Sequence, residues 1–210
     1  MLVRQCNVGM VMTNCFFIIN EETKEVALVD PGDQAKRLLD QCRQLGLTLK
    51  VILLTHGHFD HIMAVPALKE ATGATVYASK AEDALLMDAE YNLSGAWQHR
   101  PLTVKADVLL QDGEEFTVCG TPVKMILTPG HTCGSCCYYL PEQGWLFSGD
   151  TLFLESYGRL DLPTAMPSRM ASSIKDKLLV LPEETVVYPG HNDLTTIGHE
   201  KKHNPMAGWA

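Results

Sequence analysis

His56, His58, Asp60 and His61 fall within the seven residues "THGHFDH", although the whole 210-residue chain holds only eight histidines. Imidazole and carboxylate donors suit zinc, iron or manganese, and alternate residues of an extended loop turn to one side, so this spacing reads as a ligand cluster. A lone histidine is more often a surface or satisfied core residue; four donors in so short a run are not. Three more stand in comparable settings: His131 follows "VKMILTPG", Asp150 follows "WLFSG" and His191 follows "TVVYPG". Seven donors exceed what one tetrahedral ion requires and fit two ions that share a carboxylate and a water.

Each donor group lies behind an apolar, β-branched run, which is the pattern of a strand that ends at a site. "CFFII", "VALVD" and "VILLT" read as strands, and a 3.6-residue period places Leu38, Leu39, Cys42 and Leu45 on one helical face. A helix is expected after Ile62, where Pro66 is tolerable in the first turn, then strand "TVYA" and a helical segment near Ala81 to Asp88. The second half reads as strands "VLL", "EEFTV", "VKMIL", "CCYYL" and "WLFS". A helix capped by Ser168 follows, with Ile174, Leu178 and Leu181 inward, and then strand "TVVY". In such a layered α/β protein, loops leaving one sheet edge converge on ligands, and the Pro-Gly pairs before His131 and His191 turn the chain sharply there. Nothing reads as a linker, so one domain over residues 1–210 is expected.

Composition narrows the function. No apolar stretch is long enough for a membrane span, and "MLVRQCNVGMVMTNCFF" lacks the layout of a signal peptide, so a cytoplasmic protein without a membrane partner is expected. The net charge of −8 is spread without a dense basic cluster, which argues against nucleic acid. Seven cysteines cannot all pair within the chain, and thiols are expected throughout. Cys133 and Cys136 have C-x-x-C spacing, but with Cys137 they lead into a strand and read as small buried residues. His99 reads as a surface residue.

"THGHFDH", "PGHT", "SGD" and "PGH", in that order over nearly the whole chain, resemble the metallo-β-lactamase superfamily. The resemblance implies an α/β fold of the four-layer αββα sandwich type. It further implies that His56, His58 and His131 hold a first divalent metal, Asp60, His61 and His191 a second, and that Asp150 bridges them. Zinc is the implied metal, with iron or manganese as alternatives, and Asp30 in "LVDPG" would orient the loop and ligands from behind. Within the superfamily, "GDTLFLESYGRLDLP" and "TTIGHEKKHNP" resemble short, one-domain hydroxyacylglutathione hydrolase (glyoxalase II)-like proteins. Classical members of that group continue into a helical extension that helps bind glutathione, and they carry tyrosines where this sequence has Asp161 and Asp193. Arg159 falls at the position of a basic glutathione contact, and Tyr157 is a further candidate for substrate contact; the alternative for Arg159 is a salt bridge with Asp161.

The implied reaction is hydrolysis of a small anionic thioester such as S-2-hydroxyacylglutathione. Two dications lower the pKa of a shared water towards roughly 7, and Asp60 orients the resulting hydroxide. A thiol with a pKa of about 8.5 departs as thiolate without a general acid. The competing redox reading rests on "GRLD", which resembles persulfide dioxygenases that hold one iron through positions matching His56, His131 and Asp150. Lactones, β-lactams and phosphodiesters are substrates of other members; a cytoplasmic address argues against the second and acidic charge against a nuclease. "HEKKH", His199 to His203, matches the H-E-x-x-H zinc pattern, yet with Lys201, Lys202 and Pro205 around it a solvated terminal turn is expected. A non-catalytic metal-binding module would not need an open two-metal site.

Overall fold

The computed structural model describes residues 1–208, apart from the side chain of Gln98. Its first half forms a six-stranded sheet in chain order, β1 (Leu2–Val8), β2 (Thr13–Ile19), β3 (Glu25–Val29), β4 (Thr48–Leu53), β5 (Thr75–Ser79) and β6 (Val108–Leu110). β1, β2 and β3 pair antiparallel, whereas β3 to β6 are parallel. Parallel pairing demands crossovers, which run through α1 (Ala35–Gln44), α2 (Phe59–Ile62), α3 (Val65–Thr72), α4 (Asp83–Leu86) and α5 (Ser94–Gln98). A 3-10 turn, Lys80–Glu82, joins β5 to α4.

The second half contributes β7 (Glu115–Val118), β8 (Thr121–Leu127), β9 (Cys136–Leu140), β10 (Trp145–Gly149), the small hairpin β11 (Leu152–Phe153) and β12 (Ser156–Tyr157), β13 (Val186–Pro189) and β14 (Thr195–Thr196). Apart from that hairpin, these strands form a second sheet in the order β14-β13-β10-β9-β8-β7. α6 (Pro167–Ser172), which continues into a π-helical turn, Ser173–Leu178, and α7 (Ile197–His203) complete it.

Three apolar clusters separate four layers. Leu38, Cys42 and Leu68 of the helices meet Leu28, Ile52 and Val76 on one face of the first sheet. Phe16, Val29 and Leu53 meet Val123, Tyr138 and Phe147 between the sheets. Met170, Ile174, Leu178 and Ile197 cover Ile126, Cys137 and Leu146 on the far side. β2 shows how the sequence encodes this: Cys15, Phe17 and Ile19 enter the outer cluster, and Phe16 and Ile18 the inner one. A strand covered on both faces alternates its side chains between two cores and therefore reads as a continuous apolar run. The layers are those of the expected αββα sandwich.

Several local expectations need correction. α6 starts at Pro167, behind Met166, and Ser168 makes no cap; the locked φ and missing N–H of proline suit the first helical position better. Leu45 caps the end of α1 and is exposed, so the inward stripe is Leu38 and Cys42 with Leu39 at its margin. "HEKKH" is helix α7, not a solvated turn: Thr196 Oγ1 accepts from the backbone N–H of His199, and Ile197 and Glu200 are buried. All seven cysteines are unpaired thiols. Among the described residues no helix is long and apolar enough to cross a membrane.

Candidate metal centre

The C-terminal ends of five strands, two from the first sheet and three from the second, deliver polar side chains to one site, so the single sheet edge expected from the sequence is in fact shared by both sheets. β3 leads to Asp30, β4 through Thr55 to His56 and His58, β8 to His131, β10 to Asp150 and β13 to His191. Of the "THGHFDH" run, His56 and His58 follow the expected alternation. His58 then precedes α2, so Asp60 and His61 sit in a helical turn and not in an extended loop. Gly190 makes the convergence possible, because a Cβ there would occupy the space of Asp150 Oδ1 and the His61 ring.

Two groups of donors result. The ligand atoms of His56, His58 and His131 lie within 4.8 Å of one another, as do those of Asp60, His61 and His191. Asp150 faces both: Oδ2 is 3.5 Å from His131 Nε2 and 3.6 Å from His191 Nε2, and Oδ1 is 3.5 Å from His61 Nε2. The two groups also meet through Asp30, His56 and His61, which satisfy the same distance. His56, His58 and His61 each keep a buried Nε2 without a hydrogen-bond partner, and Asp150 Oδ1 is likewise unpartnered. Buried polar atoms are nearly always paired, because leaving one unpaired costs about 1–3 kcal/mol. Four such atoms gathered among imidazoles and carboxylates fit a divalent metal centre.

Three of the histidines are held from behind, whereas His58 Nδ1 lies 2.9 Å from His131 Nε2. His56 Nδ1 is 3.1 Å from Thr55 Oγ1, His61 Nδ1 is 2.9 Å from Asp30 Oδ2, and His131 Nδ1 is 2.8 Å from the Arg159 carbonyl. Such contacts set the tautomer and the ring direction of a ligating histidine. Asp30 also accepts from the Thr55 backbone N–H at 2.8 Å and from its hydroxyl at 2.6 Å, from a left-handed backbone with φ of 49°. The Thr13 hydroxyl donates to Asp60 Oδ2 at 3.0 Å. Glu82 supports the His56–His58 and His131 loops from below, accepting from Gly57 N–H and Thr132 Oγ1. Thr13, Thr55 and Glu82 carry no local signal in the sequence, since their partners Asp60, Asp30 and Thr132 are brought to them only by the tertiary fold.

Protonation divides the centre. Burial, reinforced by neighbouring histidines, pushes His56 well down and His58 to about 3. Burial pulls His61 the same way, but Asp60, Asp150 and Asp30 outweigh it and hold its pKa well above the usual value. His191 is raised despite burial by Asp150 and by its bond to Asp60, and Asp60 is driven well down, against burial, by His61 and His191. Burial raises Glu82 to about 7 against its hydrogen bonds.

Above these donors opens a cleft of about 430 Å³, walled by Phe59, Leu93 and Trp97, by Val11 and by Phe153, Tyr157 and Leu162. Tyr157 lines the cleft and also packs on the outer cluster of the second sheet. Arg159 stands at the mouth with its fork committed to Asp161, Nε to Oδ1 and Nη2 to Oδ2 at 2.7 Å each, and its Cζ 6.0 Å from the Trp97 ring. Asp193 and His99 are exposed. Cys133 is half-buried and Cys136 and Cys137 are buried in β9, with their thiols on the carbonyls of Ala81, Leu54 and Ser148 respectively. Glu200 of "HEKKH" is buried and accepts from Glu155 N–H, Thr195 Oγ1 and Asn204 Nδ2, while His199 pairs with Glu155 at 2.9 Å. That carboxylate is committed to structure, which removes the separate zinc-site reading.

A four-layer αββα fold with histidines and aspartates gathered from loops of both sheets defines a metallo-hydrolase scaffold. The profile of the metallo-β-lactamase superfamily matches residues 8–191, and the chain belongs to that family. It is 37% identical over 199 residues to the hydroxyacylglutathione hydrolase GloC of Haemophilus influenzae, covering 92% of each chain. Among solved structures it is similar to the BLEG-1 B3 metallo-β-lactamase, with a TM-score of 0.93, 39% identity and coverage of 99% and 100% of the two chains. It is also similar to TTHA1623 in a di-iron-bound form, with a TM-score of 0.83, 36% identity and coverage of 96% and 98%.

Proposed function

We propose that this metallo-hydrolase cleaves thioesters, with small anionic molecules such as S-2-hydroxyacylglutathione as substrates, as one domain over residues 1–210. In this reading His56, His58 and His131 hold one divalent ion, Asp60, His61 and His191 a second, and Asp150 serves both. Zinc suits the donor set, and the di-iron form of TTHA1623 supports iron as an alternative, with manganese a third. When bound, such ions provide a coordinated water with a pKa near roughly 7 and polarise the scissile carbonyl.

The observation that carries the reading is the cleft wall. Among the described residues that line it, those beyond the floor residues His58, Asp60, His131, Asp150 and His191 include no carboxylic acid and no histidine, which leaves the phenol of Tyr157 as a weak acid in the wall. An amine leaving group needs a proton from such a group, whereas a thiolate does not. Asp60 Oδ2, anchored by the Thr13 hydroxyl, accepts the hydrogen bond that orients the attacking water. Arg159 exchanges its exposed partner Asp161 for a substrate carboxylate, and surface pairs of this kind are easily broken. The likeness to a hydroxyacylglutathione hydrolase over 92% of both chains supports the same substrate class. Seven free thiols are in keeping with a reducing, cytoplasmic setting.

The test is loss of thioester absorbance from S-lactoylglutathione with protein reconstituted separately with zinc, manganese and iron. Turnover that Asp60→Ala lacks is the expected result, and no turnover with any metal overturns the reading. β-Lactam hydrolysis is a second reading, favoured by the likeness to BLEG-1, and a chromogenic β-lactam offered to the same preparations tests it. Oxygen uptake with a persulfide by the iron form alone would favour the dioxygenase alternative.

A further inference from the structure

Beneath the three-histidine group lies a carboxylate that the hydrolytic reading does not use. Glu82, 1% exposed, ends the 3-10 turn after β5. Its Oε1 accepts from Gly57 N–H at 2.9 Å, its Oε2 from the Thr132 hydroxyl at 2.9 Å, and the Gly134 backbone N–H donates to it as well. Gly57 lies between His56 and His58, and Thr132 follows His131. One loop leaves β4 of the first sheet and the other leaves β8 of the second, so one side chain joins two donor loops from different sheets.

The chemistry of this cradle is specific. All three partners donate, so an acceptor-only carboxylate fits, and a glutamine, with one oxygen and one N–H₂ group, would set a donor against a donor. The Thr132 hydroxyl is 2.7 Å from Ser135 Oγ, which accepts from Thr132 N–H at 3.1 Å, so the far end of the cradle is fixed in turn. Gly134 permits the close approach, because a Cβ there would collide with the Glu82 backbone nitrogen and Oε2. Asp30 has a comparable role between the groups, where it holds His61 of the second and Thr55, which in turn backs His56 of the first.

We propose that Glu82 is a positioning residue for the His56, His58 and His131 half of the centre: by tying Gly57 to Thr132 and Gly134, it sets the spacing of these histidines and hence that half's affinity for a divalent ion. The inference rests on the two-metal reading above. It acts through the loops and touches neither ion nor substrate.

Titration of the metal-free protein with cobalt(II), followed by visible absorption, tests it without reference to turnover. Wild type is expected to take two equivalents, and His131→Ala identifies the step that belongs to the three-histidine half. Glu82→Gln is expected to weaken that step about 10- to 100-fold, the range for partners that orient metal ligands, and to alter its spectrum while leaving the other step unchanged. Thr132→Val, which keeps the carboxylate and removes one arm of the cradle, weakens the same step by less and covers the case in which Glu82→Gln fails to fold. Wild-type affinity and spectrum in the variants, or equal weakening of both steps, overturns the proposal. A wild type that takes up no cobalt overturns the metal reading itself, and this inference with it.

Discussion

At the floor of the cleft His56, His61 and His131 are each backed at hydrogen-bond distance, by Thr55, Asp30 and the Arg159 carbonyl, and all three are at most 2% exposed. At its rim the side chains are loosely held. The Arg159 and Asp161 side chains are 52% and 68% exposed, and Trp97 and Val11 are 52% and 44% exposed. Buried donors with fixed backs are preorganised, so their geometry precedes any ligand. An exposed rim pair is screened and exchangeable, so the rim can select substrates without disturbing the chemistry below. Floor and rim are thus separable in energy although they share residue Arg159, whose carbonyl serves one and whose guanidinium serves the other.

The largest expected effect comes from removing a floor donor. Asp150→Ala, which takes away the group facing both histidine sets, should lower thioester turnover by more than about a hundredfold, beyond the loss typical of outer partners. Steady-state kinetics on metal-loaded protein measures it, and retained activity would show that the two groups work independently. Next comes Asp30→Ala. It strands the Thr55 N–H, the Thr55 hydroxyl and His61 Nδ1 at a buried site, at a cost on the order of 3–5 kcal/mol and roughly 10 °C or more in melting temperature. Differential scanning calorimetry of the metal-free variant reads this directly.

A smaller effect is linked to protons. The raised pKa of His61 and His191 means that the metal-free folded state holds protons that the unfolded chain releases above about pH 6.5. Their contribution is present below that pH and is lost as pH rises through the folded values. Glu82, raised to about 7, contributes in the same sense: its share is full below its ordinary value of 4.5 and is lost as pH rises through 7. The metal-free protein should therefore lose melting temperature above pH 7, whereas the metal-loaded protein gains, because ligation needs bare imidazole. Parallel slopes in the two forms would break the assignment of His61 and His191 to a common metal group.

The smallest effect belongs to the rim. Asp161→Asn should leave melting temperature and kcat unchanged while lowering KM a few-fold for an anionic thioester, an effect that fades with added salt. A fall in kcat with KM unchanged would join rim to floor and erase the distinction.

Parts of this site were open to sequence reading for a physical reason. His56, His58, Asp60 and His61 are nearly contiguous, and His131, Asp150 and His191 each end an apolar run, so local pattern and strand logic sufficed. Asp30 came through resemblance alone. Glu82 had no such marker: it is one acid among twenty-five Asp and Glu, in a helical stretch like any other. Helix α7 was misread because Lys201 and Lys202 make the stretch look solvated, while Ile197 and Glu200 turn inward under contacts to Thr195 and to Glu155 of the β11–β12 hairpin. Ser168 was misread because a nearby proline competes for the helix start and its fixed φ prevails.

By itself, then, the sequence determined the alternation of strands and helices, the continuous apolar runs of doubly covered strands, and the identity of the donors, since all three are written in periodicity and residue chemistry. Only the tertiary structure decided which donors face each other, which backers hold them and where Arg159 spends its charge. Those contacts join Thr13 to Asp60, His61 to Asp30 and Glu82 to Thr132, pairs far apart in the chain; the first two meet when the strands of the first sheet pair, and the third only when the two sheets stack.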